Sequence, residues 1–260
     1  MRSPDADKWI LGIQELKSLK EMGVYTLVPR SDVPAGRKAL HGKWVLHLKH
    51  DEHGNPVCHK AHFVFKGFEQ VFGQDYIDTT SPTACMESVH LLLNIAAAKN
   101  RDIQQIDVKT TFLYGLLPAD EAQFLEQPES FAEPGKEDWV WCLKRSLYGM
   151  KQSSHIWNKT MHKAMLNWGF KCLHADPCVY YRVNTTGIVL SVVHVDNFLI
   201  VSSTPSASHA FKEELKSFWT ISDLGEAHFC VGIAISHDCP KRTVRALLSP
   251  TYSCRIPEDS

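Results

Sequence analysis

Two aspartates in this 260-residue sequence stand at comparable places, each at the end of a segment that has the pattern of a β-strand. Asp107 closes the stretch IQQID, and Asp196 stands between LSVVHV and NFLIVS. Tight hairpin turns usually contain glycine because the backbone needs positive φ there, yet the HVDN stretch at 194–197 has none. Ordinary turn chemistry therefore explains Asp196 poorly, and a metal ligand is an alternative to be weighed.

The two aspartates would converge at one edge if their strands paired in one sheet. Carboxylate oxygens are the ligands that Mg²⁺ prefers, and two such ions about 3.5–4 Å apart can hold the attacking and leaving oxygens of a phosphoryl transfer. Strand-end aspartates are also common as solvated or turn-stabilising groups. Spacing alone leaves both interpretations open.

The composition is that of an ordinary globular protein, with 44% hydrophobic and 22% charged residues. The formal net charge of -1 gives no general attraction to phosphate, so a nucleic-acid partner would require basic residues gathered on one face. We find neither the apolar segment of a signal peptide nor an apolar run of the ~18 residues that a membrane span needs. We expect an intracellular protein, in the cytoplasm or nucleus, without a membrane segment.

The eight cysteines form no Cys-X-X-Cys pair. Cys172, His174 and Cys178 are close enough in sequence to suggest a metal site, but no second ligand pair follows at zinc-ribbon spacing. We therefore favour free thiols in a reducing compartment.

Helical and strand patterns alternate along the chain and indicate an α+β protein with a largely antiparallel sheet. The expected helices run from about Asp5 to Met22, over ESVHLLLNIAAAKN to Asn100, from Ser153 to Gly169, and over SASHAFKEELKSFW with Ser206 as its N-cap. The expected strands are two joined through DEHGNP, ending near Phe68, and others in IQQID, WVWCLKRSLYG, CVYYRV, the two arms around HVDN, FCVGIAIS and VRALLS.

A series of motifs in fixed order runs through nearly the whole sequence. The motifs are KWVLHLKHDEHGNP, KAHFVFKGFEQVFGQDYIDTTSP, QIDVKTTFLYGLL, FLEQPESF, LKRSLYGMKQSSHIW, DPCVYY, HVDN, SDLGEAHFCVGI and LLSPTY. In this order they resemble the reverse transcriptase of copia-type LTR retrotransposons. The resemblance implies a right-hand polymerase fold over residues 1–260, with fingers and palm intermixed and a thumb that would begin about where the sequence stops. Residues 40–256 are the most family-like, and 1–39 form an N-terminal helix and lead-in.

The resemblance implies a catalytic set around two Mg²⁺ ions, with Mn²⁺ as a substitute. Asp107 matches the first catalytic aspartate, and Asp196 the first aspartate of the family's Tyr-X-Asp-Asp turn. Asn197 stands where the second aspartate should be, and His194 where the tyrosine should be. The backbone carbonyl of Val108 would complete the metal shell.

Further residues are implied to bind the incoming nucleotide and to steer the primer. Phe112 matches an aromatic residue that blocks the ribose 2′-OH, with a core aromatic as the alternative. His62 replaces an arginine that holds the triphosphate. The complete nucleotide set is Lys60, His62, Phe112, Tyr148, Gly149 and Lys151, and the primer-grip set is Leu224 and Gly225. Pro250 stands where glutamine is usual, which predicts an edge or a break there.

The implied reaction is RNA- or DNA-templated addition of deoxynucleotides to a primer 3′-OH. The departures at Asn197 and His62 predict a degenerate or impaired copy, because an amide neutralises Mg²⁺ less than a carboxylate does and a neutral histidine lacks arginine's charged fork. Thr111 likewise stands where the family typically has alanine. The partners would be an RNA or DNA template-primer and deoxynucleoside triphosphates, bound weakly. The alternative is a non-catalytic nucleic-acid-binding remnant or a functionless passenger. A two-metal nuclease is disfavoured because the sequence lacks the further acidic cluster that such sites commonly use.

Overall fold

The computed structural model describes residues 13–50, 55–129, 131–238, 241 and 243–248. The chain divides into two compact units, the first comprising 1–80 with 112–160 and the second 81–111 with 161–260. The predictions for an Asp5 cap, for most of the DEHGNP turn and for Pro250 lie outside the described residues. No helix within the described ranges is both long and apolar enough to cross a membrane.

The first unit contains two antiparallel sheets. Its elements are α1 (Gln14–Glu21), β1 (Tyr25–Val28), β2 (Gly42–His50), β3 (Pro56–Phe65), β5 (Gln123–Glu126) and β6 (Val140–Leu143). The expected pairing of β2 with β3 is confirmed, and β1, β6 and β5 form a three-stranded sheet. The strands β1 and β5 were not predicted, because neither YTLV nor QFLE shows regular alternation of apolar and polar residues. Tyr25 of β1 stacks on Trp141 of β6 with ring centroids 3.9 Å apart.

The second unit is built on a six-stranded antiparallel sheet in the order β11-β4-β10-β9-β8-β7. Its strands and helices are α2 (Met86–Lys99), β4 (Ile103–Val108), β7 (Lys171–Cys172), β8 (Val179–Asn184), β9 (Gly187–His194), β10 (Asn197–Ser202), α4 (Pro205–Phe218) and β11 (Ile221–Glu226). A three-stranded sheet of β12 (Phe229–Cys230), β13 (Ile233–Asp238) and β14 (Thr243–Leu248) completes it. The α+β class with largely antiparallel sheets is confirmed.

The apolar runs of β9 and β10 are explained by burial of both sheet faces. Leu199 and Val201 pack in one cluster with α2 and the β12–β14 sheet. Phe198 alternates with them and meets Phe211 of α4 on the other face, with ring centroids 6.3 Å apart. Each fully buried side chain of this size contributes roughly 1.5–3 kcal/mol. These strands are therefore continuous in hydrophobicity rather than alternating.

The boundaries of α2 and α4 agree with the expected ones to within two residues, whereas α1 begins at Gln14, with Ile13 as its N-cap, instead of near Asp5. α2 ends at Asn100 in the left-handed conformation (φ 49°), as expected, and α3 spans Ser153–Asn167. The N-cap of α4 is Thr204, whose side chain accepts a hydrogen bond from the Ala207 N–H at 3.1 Å. The prediction of Ser206 was wrong, because Pro205 is itself the first helical residue and the cap must precede it.

Asp176, in a loop distant in sequence, caps the N-terminus of α2 through hydrogen bonds. Its carboxylate accepts hydrogen bonds from the Ser88 hydroxyl at 2.6 Å and from the backbone N–H groups of Cys85 (3.1 Å) and Cys178 (2.9 Å). Cys85 is the N-cap residue and makes no side-chain cap bond of its own. Burial raises the pKa of the Asp176 carboxyl, but these hydrogen bonds outweigh it and hold the pKa below the ordinary aspartate value.

Replacing Asp176 by asparagine is expected to lower the free energy of unfolding by about 1–3 kcal/mol at pH 7. A folded-state pKa below the unfolded one stabilises the protein above the unfolded value of about 3.9 and loses that effect as the pH falls further. Urea unfolding, followed by tryptophan fluorescence at pH 7 and at pH 3, measures this effect. The difference in the free energy of unfolding between wild type and Asp176→Asn should be smaller at pH 3 than at pH 7. Asp120→Asn, at an exposed position, is the control. If the difference in the free energy of unfolding between wild type and Asp176→Asn did not change with pH, the stabilising role of the Asp176 carboxylate would be contradicted.

The thiols around Asp176 are held in their protonated form. Burial, together with the nearby carboxylate, raises the pKa of Cys178 to about 12, and burial also raises that of Cys172. Since the thiolate is the form that binds metals, a metal ion would have to displace the proton of each thiol.

Candidate active site

The β9–β10 hairpin closes through a two-residue turn, Val195 and Asp196, between the paired residues His194 and Asn197. Val195 has φ 58°, a left-handed conformation that is unusual for a β-branched residue. Such strain amounts to about 1–3 kcal/mol and persists only where the surroundings fix it. The positive φ that glycine normally supplies is therefore provided by Val195, and Asp196 occupies the second turn position.

The sheet register brings the two aspartates to neighbouring positions. Asn197 of β10 lies directly opposite Asp107 of β4, and the Val108 N–H donates to the Asp196 carbonyl at 2.9 Å. Directly opposed residues on antiparallel strands have Cα atoms about 4.5–5.5 Å apart. Asp107 and Asp196 thus lie at the same end of two adjacent strands, although 89 positions separate them in sequence.

A row of polar residues crosses four strands at this end of the sheet. His194, Asn197, Asp107 and Ser222 stand opposite one another on β9, β10, β4 and β11. Opposed residues point to the same face, so the row forms a polar margin on a sheet that is otherwise filled with apolar side chains.

The oxygen donors near this end of the sheet are of the types that a hard divalent cation prefers. They are the carboxylates of Asp107 and Asp196 and the carbonyl of Val108, and Mg²⁺ is typically held by one or two carboxylates together with water and substrate phosphates. Within the described residues, no cluster of three histidine, cysteine, aspartate or glutamate side chains is arranged to hold a metal.

The Val108 carbonyl has a partner that the sequence did not disclose. The Thr111 hydroxyl is buried and donates to this carbonyl at 2.8 Å. A carbonyl oxygen has two lone pairs, so one remains for a cation. Thr111 stands where alanine is usual in the resembled family, which makes this hydrogen bond a consequence of that departure.

Replacing Thr111 by valine is expected to strengthen divalent-cation binding by about twofold to tenfold, the equivalent of one neutral hydrogen bond. The variant keeps the side-chain shape and frees the second lone pair of the Val108 carbonyl. Titration with Mn²⁺, monitored by the electron paramagnetic resonance of the free ion, measures the change. Thr110→Val is the matched control because the Thr110 hydroxyl bonds to a different carbonyl, that of Lys109. Unchanged or weaker binding in Thr111→Val would refute the competition.

The first unit brings three of the expected nucleotide-binding side chains together. The Tyr148 ring lies 5.3 Å from the His62 ring and 5.2 Å from the Phe112 ring, measured between centroids. The Tyr148 carbonyl accepts from the Phe65 N–H at 2.7 Å. Gly149 follows with φ 88°, and a Cβ there would overlap the Phe65 carbonyl, so only glycine fits the turn.

The cations expected to meet phosphate have different surroundings. His62 Nδ1 lies 3.2 Å from a carboxylate oxygen of Glu15 on α1, so a carboxylate occupies one side of the position where the family has arginine. The Lys151 ammonium lies 3.2 Å from the Tyr76 hydroxyl and 4.9 Å from that ring's centroid. Lys60 is exposed on β3. Sequence reasoning missed the Glu15 contact because it joins residues 47 positions apart.

The expected primer-grip residues belong to a strand of the main sheet. Leu224 and Gly225 lie in β11, which pairs with β4 and shifts register between Asp223 and Gly225. The shift makes Leu224 the bulged residue, and its side chain is 52% exposed. The hairpin itself is formed further on by β12 and β13, so the two parts of SDLGEAHFCVGI occupy different sheets of the second unit.

Comparison with known proteins settles the family. The family model for reverse transcriptase (RNA-dependent DNA polymerase) matches residues 22–251. The chain belongs to the reverse transcriptase family. It is 36% identical over 235 residues to a retrovirus-related Pol polyprotein from transposon TNT 1-94 of Nicotiana tabacum, which covers 90% of this chain and 17% of the relative.

Other relatives agree. The Pol polyprotein from transposon RE1 of Arabidopsis thaliana is 30% identical over 191 residues, covering 74% of this chain and 13% of the relative. The copia-type resemblance drawn from the motifs is therefore confirmed, and this reverse transcriptase chain spans less than a fifth of the length of these relatives. A solved foamy viral protease-reverse transcriptase in complex with ds DNA aligns with 99% of this chain and 38% of that chain at 13% identity and a TM-score of 0.48.

Proposed function

We propose that this reverse transcriptase domain carries a two-metal site for template-directed DNA synthesis at Asp107 and Asp196. The supporting observation is the register of β4 against β10, which sets Asp107 opposite Asn197 and ties Val108 to Asp196. Two carboxylates and a carbonyl near the same end of two adjacent strands would supply the oxygen ligands that nucleotidyl transfer requires. The expected partners are an RNA or DNA template-primer and deoxynucleoside triphosphates.

Each candidate site residue of the second unit has a defined role in this proposal. Asp107 and Asp196, with the Val108 carbonyl, would hold two Mg²⁺ ions, for which Mn²⁺ could substitute. The bound ions would lower the charge barrier between the primer 3′-OH and the triphosphate and stabilise the departing pyrophosphate. Val195 fixes the turn, so that Asp196 is presented from the rigid end of a hairpin. Leu224 and Gly225 on β11 are proposed to contact the primer.

The first unit is proposed to receive the nucleotide. Lys60 would contact the triphosphate, Phe112 would lie against the sugar and exclude a 2′-OH, and Tyr148 with Gly149 would form the nucleotide-side turn beside His62. Lys151 would act there only after leaving Tyr76. We accordingly propose the first unit as mainly fingers and the second as mainly palm, within one reverse transcriptase domain over 1–260.

Three features support an impaired copy. Asn197 supplies no negative charge, and His62, in place of arginine, lies against the Glu15 carboxylate. Arg145, one of the remaining cations that could meet template phosphates, is also engaged, since its guanidinium donates to the Tyr114 carbonyl at 3.2 Å. With fewer cations directed to phosphate, nucleic-acid binding should be weak and should fall steeply with salt.

Primer extension decides between an enzyme and a non-catalytic binding remnant. The chain is incubated with an annealed template-primer, on RNA and on DNA templates, and the four deoxynucleotides in Mg²⁺ or Mn²⁺. Extension that Asp107→Ala abolishes supports the enzyme. Template binding without extension supports the remnant, and cleavage of the template would indicate a nuclease instead.

A further inference from the structure

Asn197 lies between two side chains that both contact its amide. Its Nδ2 atom donates to Asp196 Oδ1 at 3.0 Å, and its Oδ1 atom accepts from Gln105 Nε2 at 3.1 Å. Gln105 belongs to β4, two residues before Asp107 and therefore on the same face of the sheet, and its side chain is buried with 8% exposure. The three residues form a chain of hydrogen bonds that ends on a proposed metal ligand.

The direction of this chain follows from chemistry. An ionised carboxylate can only accept hydrogen bonds, so the end of Asn197 that faces Asp196 must be its NH₂ group. The carbonyl end then faces Gln105 and requires a donor there, which the Gln105 NH₂ group supplies. Neither amide can be flipped without setting two acceptors or two donors against each other.

We infer that Gln105 orients Asn197, and that Asn197 in turn fixes the carboxylate of Asp196, so that both are positioning residues of the cation site. The inference rests on the proposed function, because it assigns a task relative to the metal-binding carboxylates. The Asn197 carbonyl oxygen is turned towards Gln105, whereas its donor is turned towards Asp196. Asn197 therefore acts through Asp196 rather than as a ligand of its own.

The nature of residue 105 decides whether the chain can form. Methionine has nearly the length of glutamine but offers no donor, so Asn197 would lose its orientation and Asp196 its fixed partner. Glutamate at 105 would repel the Asn197 carbonyl and favour the reversed amide, which sets that carbonyl against Asp196. Partners that orient metal ligands typically contribute 10- to 100-fold to metal affinity.

The test is Mn²⁺ binding to the full 260-residue chain, measured by electron paramagnetic resonance of the free ion. Gln105→Met is expected to weaken binding about tenfold, and Gln105→Glu should not restore it. Gln104→Met is the matched control, because Gln104 is the neighbouring glutamine on the opposite face of β4 and bonds to Ser208. Circular dichroism and urea unfolding establish that each variant is folded.

A double-mutant cycle separates positioning from a general loss of structure. Asn197→Ala should weaken Mn²⁺ binding, and adding Gln105→Met to it should then have no further effect. If folded Gln105→Met binds Mn²⁺ as tightly as wild type, or if the two effects simply add, the inference is overturned. If wild type binds no Mn²⁺, or binds it equally after Asp196→Asn, the proposed metal site itself fails, and the positioning roles fail with it.

Discussion

Replacing either Asp107 or Asp196 by asparagine is expected to weaken Mn²⁺ binding by at least about a hundredfold. Partners that merely orient a ligand contribute 10- to 100-fold, and a direct carboxylate ligand should contribute at least as much. Each substitution keeps the side-chain shape and removes one of the two negative charges at the end of β4 and β10. Primer extension, wherever wild type shows it, should disappear in both variants.

Asp102→Asn provides the control for this comparison. Asp102 is exposed and directly precedes β4, so it tests whether any lost carboxylate near this strand has the same effect. Mn²⁺ titrations of the three variants under one condition give the answer. Equal binding by wild type and Asp107→Asn would remove the metal site from the proposed function.

The second large effect is expected from restoring two family residues together. His62→Arg adds a permanent charge and a bidentate donor. A charge-assisted hydrogen bond contributes about 1.5–3 kcal/mol, so nucleotide binding should become roughly ten- to a hundredfold tighter. Asn197→Asp adds a carboxylate directly opposite Asp107, which increases the attraction for a divalent cation. We expect the double variant to extend a primer at a higher rate than wild type and with a lower KM for deoxynucleotides.

Glu15 provides a further test of the role of residue 62. An arginine at 62 would lie next to the Glu15 carboxylate that now contacts the histidine, and this pairing would compete with phosphate. Adding Glu15→Gln should therefore give a further fall in KM without a change in rate. If the double and triple variants fold and still do not extend a primer, the two substitutions are not what impairs this copy.

Much of the strand and helix content could be predicted from the sequence, but the pairings could not. The apolar runs on either side of HVDN predict the β9–β10 hairpin because its two strands are adjacent in the chain. Nothing in the spacing of residues 103–108 indicates that this strand pairs with 197–202, since strand pairing depends on tertiary packing. The positions of Asp107 and Asp196 suggested that they could converge, but only the family resemblance favoured the metal-binding interpretation over the alternative.

The candidate site shows the same division at the level of side chains. Residue types identified Thr111 and Asn197 as departures from the family. Their effects depend on contacts with the Val108 carbonyl and with Gln105, which become visible only once the register is known. The Thr204 cap shows that a local signal can also mislead, because two candidate capping residues flank Pro205.

The position of β4 between β10 and β11 has a consequence for biosynthesis. Both neighbours are synthesised about 90 to 120 residues after β4, so the nascent strand with Asp107 leaves the ribosome with both edges unpaired. Such edges recruit other chains, and pairings between distant segments form slowly. Production of this polypeptide should accordingly benefit from chaperones that bind β4 until its neighbours have emerged.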